Sequence, residues 1–315
     1  MGDARIVSAM NRRSVLLLCL FAIGCVPPAQ AVSRPAITGL SHVTLYADDL
    51  AKSQHFYAGL LGWEQVPTGD AQSGVRFYAN HVQYIELLQG KGQTDRMNSI
   101  GFSTTNAEQL RSFLGAHGVA VPAKVSVDRN GDTFFDVQDP EGNVVEFRQT
   151  GPNPPKGGKA VQERLSTHII HAGFVAHDRA KLDSFYKDLL GFHLYWEGGS
   201  GPGRTDWVMM QVPNGTDWLE YMLYLPSDAS RAELGSANHF APGVESVTAL
   251  EKRLRARGWA PTPQEKPPLL GVDGKWQLDL FDPDGTRAEF MEFVPVKEAC
   301  CSRYTGRQPE PYPAW

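Results

Sequence analysis

Hydrophobic and polar positions alternate along this chain in short runs, broken at regular intervals by turn residues and by two amphipathic segments per half. In "HVTLYADDLAKSQHFYAGLLGW" (42–63) the first six residues read as a strand, Asp48 or Asp49 as a helix N-cap, and Gly62 as the helix stop. Phe56 with Leu60, and Tyr57 with Leu61, stand four apart, the spacing of one helix face packed on a sheet. Strand-like runs follow at "VRFYAN" and "VQYIELL", then "SIGFST" and a helix that ends at "GAHGV". The strands "TFFDVQD" and "NVVEFRQ" close this half, joined by an Asp-Pro-Glu-Gly turn. The scheme is strand, helix, strands, written twice.

The second half of the chain repeats it. "HAGFVAHDRAKLDSFYKDLLGF" (171–192) shares 10 of 22 positions with residues 42–63, and "DPDGTRAEF" (282–290) echoes "DPEGNVVEF" (139–147). Between these landmarks come "WVMMQV", "WLEYMLYL", "NHFAPGV", a helix ending at "RARGW", "WQLDLFD" and "RAEFMEF". A repeat of this length marks a duplicated domain. The expected organisation is a first domain over 37–150, a Pro/Gly-rich linker over 151–164, a second domain over 165–295 and a Pro-rich tail over 296–315. The fold class expected is α+β.

Residues 1–31 read differently. "MNRRSVLLLCLFAIGCVPPAQA" has a basic start, an apolar run and a small-x-small end, the pattern of a secretory signal cleaved after Ala31. Its apolar run is too short to span a bilayer. "AIGC" offers a second reading, with Cys25 as a lipidated N-terminus. Either way the expectation is an exported protein. Loss of residues 1–31 removes three Arg and one Asp, taking the net charge from −5 to −7. An acidic chain without a basic run has no electrostatic basis for nucleic-acid binding. Beyond the signal region only Cys300 and Cys301 remain, so no disulfide framework supports the body. That adjacent pair is readable as exposed thiols, a bridge within the pair, or a link to another chain.

The opening "H…D…FY…LLGF" and closing "DPDG…EF" resemble the vicinal-oxygen-chelate superfamily, which includes glyoxalase I, extradiol dioxygenases and bleomycin-resistance proteins. The resemblance implies two tandem domains, each of paired βαβββ modules, and one divalent transition metal per chain (Ni, Zn, Co, Mn or Fe). The family takes its ligands from the first and last strands of each module. Carried over, these positions are His171, Glu220, His239 and Glu289, at separations of 49, 19 and 50 residues. Strand parity supports the carboxylates independently. Glu289 shares a face with Met291 and Phe293, and Glu220 with Trp218, Met222 and Tyr224, where a lone carboxylate is costly.

The matching positions of the first copy are His42, Glu86 and Glu146, with Ser99 in the third place, a weak ligand that points to a degraded site. Family members also assemble modules in a swapped manner, and the complete site is then His42, Glu86, His239 and Glu289. The other histidines, His55, His81, His117, His168, His177 and His193, read as exposed or loop positions.

For chemistry, the four-ligand pattern implies a glyoxalase I-like isomerase or lyase acting through a metal-chelated enediolate on a small oxygenated substrate, with Glu220 or Glu289 as the proton shuttle. An Fe(II) extradiol-type dioxygenase built on His171, His239 and Glu289 is the alternative, although residues 195–225 contain no catalytic His. A third reading is a non-catalytic small-molecule binder, with Trp207, Trp218, Tyr221, Trp276 and Phe281 lining its cavity.

Overall fold

A computed structural model describes residues 1–2, 33–67, 74–153 and 163–312. The chain divides into a unit of residues 1–31 and a unit of residues 32–315, and the second contains every described helix and strand. The signal-peptide and Cys25 readings lie outside the described residues.

The first half forms one curled eight-stranded sheet: β1 (Ile37–Ala47), β2 (Glu64–Pro67), β3 (Val75–Tyr78), β4 (Tyr84–Gln89), β5 (Met97–Thr104), β6 (Ser126–Val127), β7 (Thr133–Gln138) and β8 (Val144–Gln149). The second half forms another: β9 (Ile169–Val175), β10 (His193–Gly198), β11 (Trp207–Gln211), β12 (Trp218–Met222), β13 (His239–Val244), β14 (Leu269–Leu270), β15 (Trp276–Phe281) and β16 (Arg287–Glu292). Their spatial orders match strand for strand, β2-β3-β4-β1-β5-β8-β7-β6 and β10-β11-β12-β9-β13-β16-β15-β14. The class is α+β, two tandem domains of paired modules. Strands β2 and β10, and helix α4 (Arg231–Ala237), fall in stretches whose polarity carries no periodic signal.

Each module opens with a strand and a helix. In α1 (Leu50–Gln54), Asp49 caps the Ala51 and Lys52 amides, and the chain continues as a π-helical turn over His55–Leu60. Gly62, at φ +75°, ends it. Helix α2 (Ala107–Ala116) is capped by Asn106. In the second domain α3 (Arg179–Asp183) is capped by Asp178 and α5 (Val247–Ala256) by Ser246, while Ser230 and Glu233 close a capping box on α4. The caps satisfy amides that short helices otherwise leave open.

The repeated phrases meet across the duplication. Tyr57 Oη, from the "FY" of the first copy, donates to Asp282 Oδ2 of the second copy's closing turn at 2.9 Å. Tyr186 Oη returns the bond to Asp139 Oδ2 at 3.1 Å. A continuous apolar core lies around these helices, with Phe56, Tyr57, Phe102, Phe147, Phe174, Tyr186 and Phe240 among its buried members. A separate apolar cluster, built on Trp196, Met209, Trp218, Met291 and Phe293, lies on the opposite face of the second sheet. Parity along β12 and β16 produces this division: Leu219, Tyr221, Ala288 and Phe290 enter the main core, and Trp218 and Met291 the other face.

The tail packs against the second sheet. Thr305 N donates to Tyr195 O at 3.0 Å, Trp196 Nε1 to Cys300 O at 3.1 Å, and Tyr304 Oη to Asp273 Oδ2 at 3.2 Å. Cys300 and Cys301 are bridged to each other. His168 is not exposed: it is buried between the tail and Asp217. Among the described residues no helix is long and apolar enough to cross a membrane.

Candidate metal centre

Four side chains from four strands converge inside the second sheet. His171 stands on β9, Glu220 on β12, His239 on β13 and Glu289 on β16, and their nearest ligand atoms all lie within 4.8 Å of one another. The His171 and His239 Nε2 atoms are 2.9 Å apart. Glu289 Oε2 is 3.1 Å from His171 Nε2 and 3.3 Å from His239 Nε2. Glu220 Oε2 is 3.6 and 3.4 Å from the same two nitrogens. All four residues are buried.

Local sequence sets this geometry. The register places His239 opposite Gly173 and His171 opposite Ala241, across the antiparallel join of the two modules. Trp218 pairs with His171 in the parallel register and stacks on its ring at 4.7 Å. His239 Nδ1 lies 2.7 Å from Ala237 O, so its proton sits there and the Nε2 lone pair faces the cluster. Burial pushes the His171 pKa down. Burial also opposes charge on His239, but Glu220 and Glu289 outweigh it and the net shift is upward. Glu289 is held well below the usual carboxylate range: burial opposes this, and Arg287 and the two imidazoles overcome it.

Buried lone pairs packed this closely need a cation between them. Donors held about 2.0–2.2 Å from one ion stand about 3 Å from their neighbours, the spacing found here. Two imidazoles and two carboxylates suit a divalent transition metal.

The join of β1 with β5, and of β9 with β13, keeps both modules of each domain together. This corrects the swapped alternative: His42 and Glu86 do not complete a site with His239 and Glu289, since the first domain keeps them. There His42 Nε2 faces Glu146 Oε1 at 3.8 Å, and Ser99 stands opposite Thr44. Two arginines fill the first domain's counterpart of the site. Arg76 Nε lies 3.4 Å from Glu86 Oε1, Arg148 Nε lies 2.7 Å from Glu146 Oε1, and both reach Asp128. The equivalent positions in the second domain are Met209, opposite Glu220, and Met291.

A cavity of about 240 Å³ opens onto Glu220 and Glu289, walled by Trp196, Trp207, Met209 and Met222 and bordered by Leu269 and Leu270. Of the aromatics expected around a cavity, Trp207 lines it. Tyr221 instead packs on Phe174 and Tyr186 in the main core, Phe281 lines a separate depression beside Phe56, and Trp276 stands at its strand's edge, partly exposed.

A family model described as glyoxalase/bleomycin resistance protein/dioxygenase superfamily matches residues 39–147 and 168–290. The chain belongs to this superfamily. Superfamily proteins bind a single divalent metal, and the buried His/Glu cluster is able to hold one. Solved structures share the fold at low identity. The 2,3-dioxygenase LapB from Pseudomonas sp. KL28 is 16% identical, with 90% of this chain and 98% of that one covered at a TM-score of 0.64. The Mn(II)-bound glyoxalase from Novosphingobium aromaticivorans is 19% identical over 82% and 83%, with a TM-score of 0.60. An E323L mutant of homoprotocatechuate 2,3-dioxygenase from Brevibacterium fuscum is 18% identical over 90% and 76%, with a TM-score of 0.65. No curated protein sequence matches the chain significantly.

Several residues of the site carry no family signature and are not evident from motifs alone. Gly173 is one, and its signal is a glycine inside an apolar strand, which marks a close approach. Arg287 and Asp279 are others, the first legible only from its parity with Glu289 on β16 and the second only from the register that sets it opposite Glu289.

Proposed function

We propose that the second domain holds one divalent transition metal through His171, Glu220, His239 and Glu289, and that it acts as a glyoxalase-like isomerase or lyase on a small oxygenated substrate. The observation that carries this reading is the fourth donor: Glu220 stands within the cluster, so two carboxylates and two imidazoles converge. The bound ion supplies a Lewis acid that stabilises charge developing beside a carbonyl.

The chain's own residues do the rest. His171 and His239 present neutral Nε2 donors, the latter fixed by its bond to Ala237 O. Glu220 and Glu289 border the cavity, within reach of a bound substrate, and each is a candidate to take up and return its proton. Trp196, Trp207, Met209 and Met222 give the substrate an apolar seat that excludes water. The first domain, its carboxylates satisfied by Arg76 and Arg148, serves as a scaffold.

A second reading draws on the fold likeness to LapB, whose chain is covered almost end to end. In it His171, His239 and Glu289 form the two-His-one-carboxylate set of a ring-cleaving dioxygenase, and Glu220 is a group beside the metal rather than a ligand. The pattern over residues 10–31 supports export of either enzyme.

Elemental analysis of the purified chain tests both. Nickel, zinc, cobalt or manganese near one atom per chain, lost in Glu220→Gln, supports the isomerase or lyase. Iron at that ratio, retained in Glu220→Gln, supports the dioxygenase. Failure to retain any divalent metal after incubation and desalting refutes both.

A further inference from the structure

The two carboxylates of the cluster are not equivalent. Both oxygens of Glu289 are engaged: Oε2 faces the imidazoles, and Oε1 accepts from Arg287 Nη1 at 3.0 Å. Arg287 lies two residues before Glu289 on β16, so its side chain leaves the sheet on the same face, and it is largely buried. Its second anionic neighbour is Asp279, whose Oδ1 lies 3.6 Å from the same nitrogen. Asp279 is the direct cross-strand partner of Glu289 on β15. Glu220 is placed differently. Its Oε2 faces the two imidazoles, and its cross-strand neighbour is the apolar Met209.

The first domain shows that the fold allows other choices. There an arginine serves each carboxylate, Arg76 beside Glu86 and Arg148 beside Glu146. The second domain has methionine at both of those places and puts its arginine at position 287, where the first domain has Val144. One guanidinium is thus bonded to Glu289, while Glu220 feels it only as a nearby charge.

We propose that Arg287, steadied by Asp279, is a positioning residue that restricts Glu289 to a single ligating oxygen and makes Glu220 the carboxylate that detaches to carry the proton. This rests on the metal reading above. A carboxylate whose second oxygen is held by a guanidinium cannot turn to chelate with both oxygens without breaking a charge-assisted bond. With His171, Glu220, His239 and Glu289 each giving one atom, a bound six-coordinate ion would keep room for two further oxygens, and a Glu289 that gave both of its own would take part of that room. With Glu289 pinned, Glu220 is the ligand able to swing out, accept a proton from a substrate carbon and return it to the neighbouring carbon, with no net change in its own charge over the cycle.

The sign of the expected effect separates this role from a merely structural one. Arg287 places positive charge beside the ion and withholds an oxygen from it, so its removal strengthens metal binding. The probe is Mn(II) alone, titrated into the full chain, with affinity read from free-ion electron paramagnetic resonance and exchangeable waters from water-proton relaxation. Arg287→Met is expected to bind Mn(II) about tenfold more tightly, while relaxation enhancement per bound ion falls by about half as Glu289 takes a second position. Arg287→Lys restores a cation and both wild-type values. Asp279→Asn, the check should Arg287→Met not fold, removes a negative charge as well as the partner that steadies Arg287, so it is read from relaxation alone: enhancement per bound ion is expected to fall by less than in Arg287→Met. Unchanged or weaker binding with unchanged relaxation in Arg287→Met, or unchanged relaxation in Asp279→Asn where that variant has to decide, overturns the proposal. Absence of Mn(II) binding by the wild-type chain instead refutes the metal reading beneath it.

Discussion

Gly173 gives the His239 imidazole its place. A Cβ at residue 173 stands 2.1 Å from His239 Cε1, closer than real contacts allow, and the two residues are cross-strand partners at the join of the modules. In the first domain the same pair is Thr44 and Ser99, a small side chain opposite a methyl-bearing one. Gly173→Ala is therefore expected to displace the ring from the cluster and lower divalent-metal affinity at least about tenfold, with a stability cost of about 1–3 kcal/mol from overpacking. Metal titration and urea unfolding of the metal-free protein measure the two effects separately. Wild-type affinity in the variant refutes the account.

Metal removal carries its own signature. A ligand that binds only the folded state stabilises it by about 2.7 kcal/mol at a hundredfold excess over its dissociation constant. Thermal unfolding is expected at a higher temperature with saturating Zn(II) or Mn(II) than after chelator treatment, and the difference should vanish in His239→Ala. A full shift surviving in His239→Ala places the ion elsewhere.

The architecture is legible because the duplication is. Two copies of "FY" and of the Asp-Pro turn predict two equivalent domains, and the structure adds what the copies do: Tyr57 binds Asp282 and Tyr186 binds Asp139, each across the duplication. The positions of His171, Glu220, His239 and Glu289 follow from family motif and strand parity. Their assembly within one domain does not, because swapped and unswapped modules share the same strand patterns and only the β9–β13 register distinguishes them. His168 reads as exposed in the sequence and is buried in the fold. Its burial depends on Asp217 and on the tail carbonyl of Glu310, 49 and 142 residues away, which no local pattern reports.

The first domain is one short set of changes from its twin. By register, Thr44, Arg76, Ser99 and Arg148 occupy the positions of Gly173, Met209, His239 and Met291. Arg148→Met alone leaves Glu146, Asp128 and Asp132 without their shared partner, and a destabilisation of about 3–5 kcal/mol is expected by urea unfolding. Combined with Thr44→Gly, Arg76→Met and Ser99→His, it is expected to raise the bound metal from one atom per chain to two. Elemental analysis of the quadruple variant decides it, and a folded variant still holding one atom shows that the arginines are not what excludes the ion.

The tail is part of the second domain's fold. Tyr304 joins the cluster of Tyr195 and Trp196 and bonds Asp273, while Gln308 Oε1 accepts from Tyr195 Oη at 2.5 Å. Truncation after residue 299 uncovers both rings and leaves buried polar groups unpaired. A loss of about 3–5 kcal/mol is expected, with increased binding of a hydrophobic dye. A truncated chain as stable as the full one shows that the tail only rests on the surface.

His168 makes the lock between the domains and the tail dependent on pH. Its Nδ1 is 2.6 Å from Glu310 O and its Nε2 is 2.7 Å from Asp217 Oδ1, two acceptors that a neutral imidazole cannot both serve. Asp217 Oδ2 in turn accepts from Leu40 N and Gln83 Nε2 of the first domain. The other groups packed on the ring, Phe293 and Tyr312, are aromatic. Burial pushes the His168 pKa down, but the Asp217 carboxylate and the Glu310 carbonyl outweigh it, and the net shift is upward. Because the folded value exceeds the ordinary value of about 6.5, this contribution is complete below that pH and is lost as pH rises through the folded value. The urea midpoint of the wild-type chain is therefore expected to fall between pH 6 and pH 9 by more than that of His168→Gln, whose side chain has no proton to lose. Asp217→Asn should flatten the same interval, since it removes the charge that raises the pKa. Parallel declines in all three proteins exclude a charged His168 from the lock and leave it an ordinary neutral core histidine.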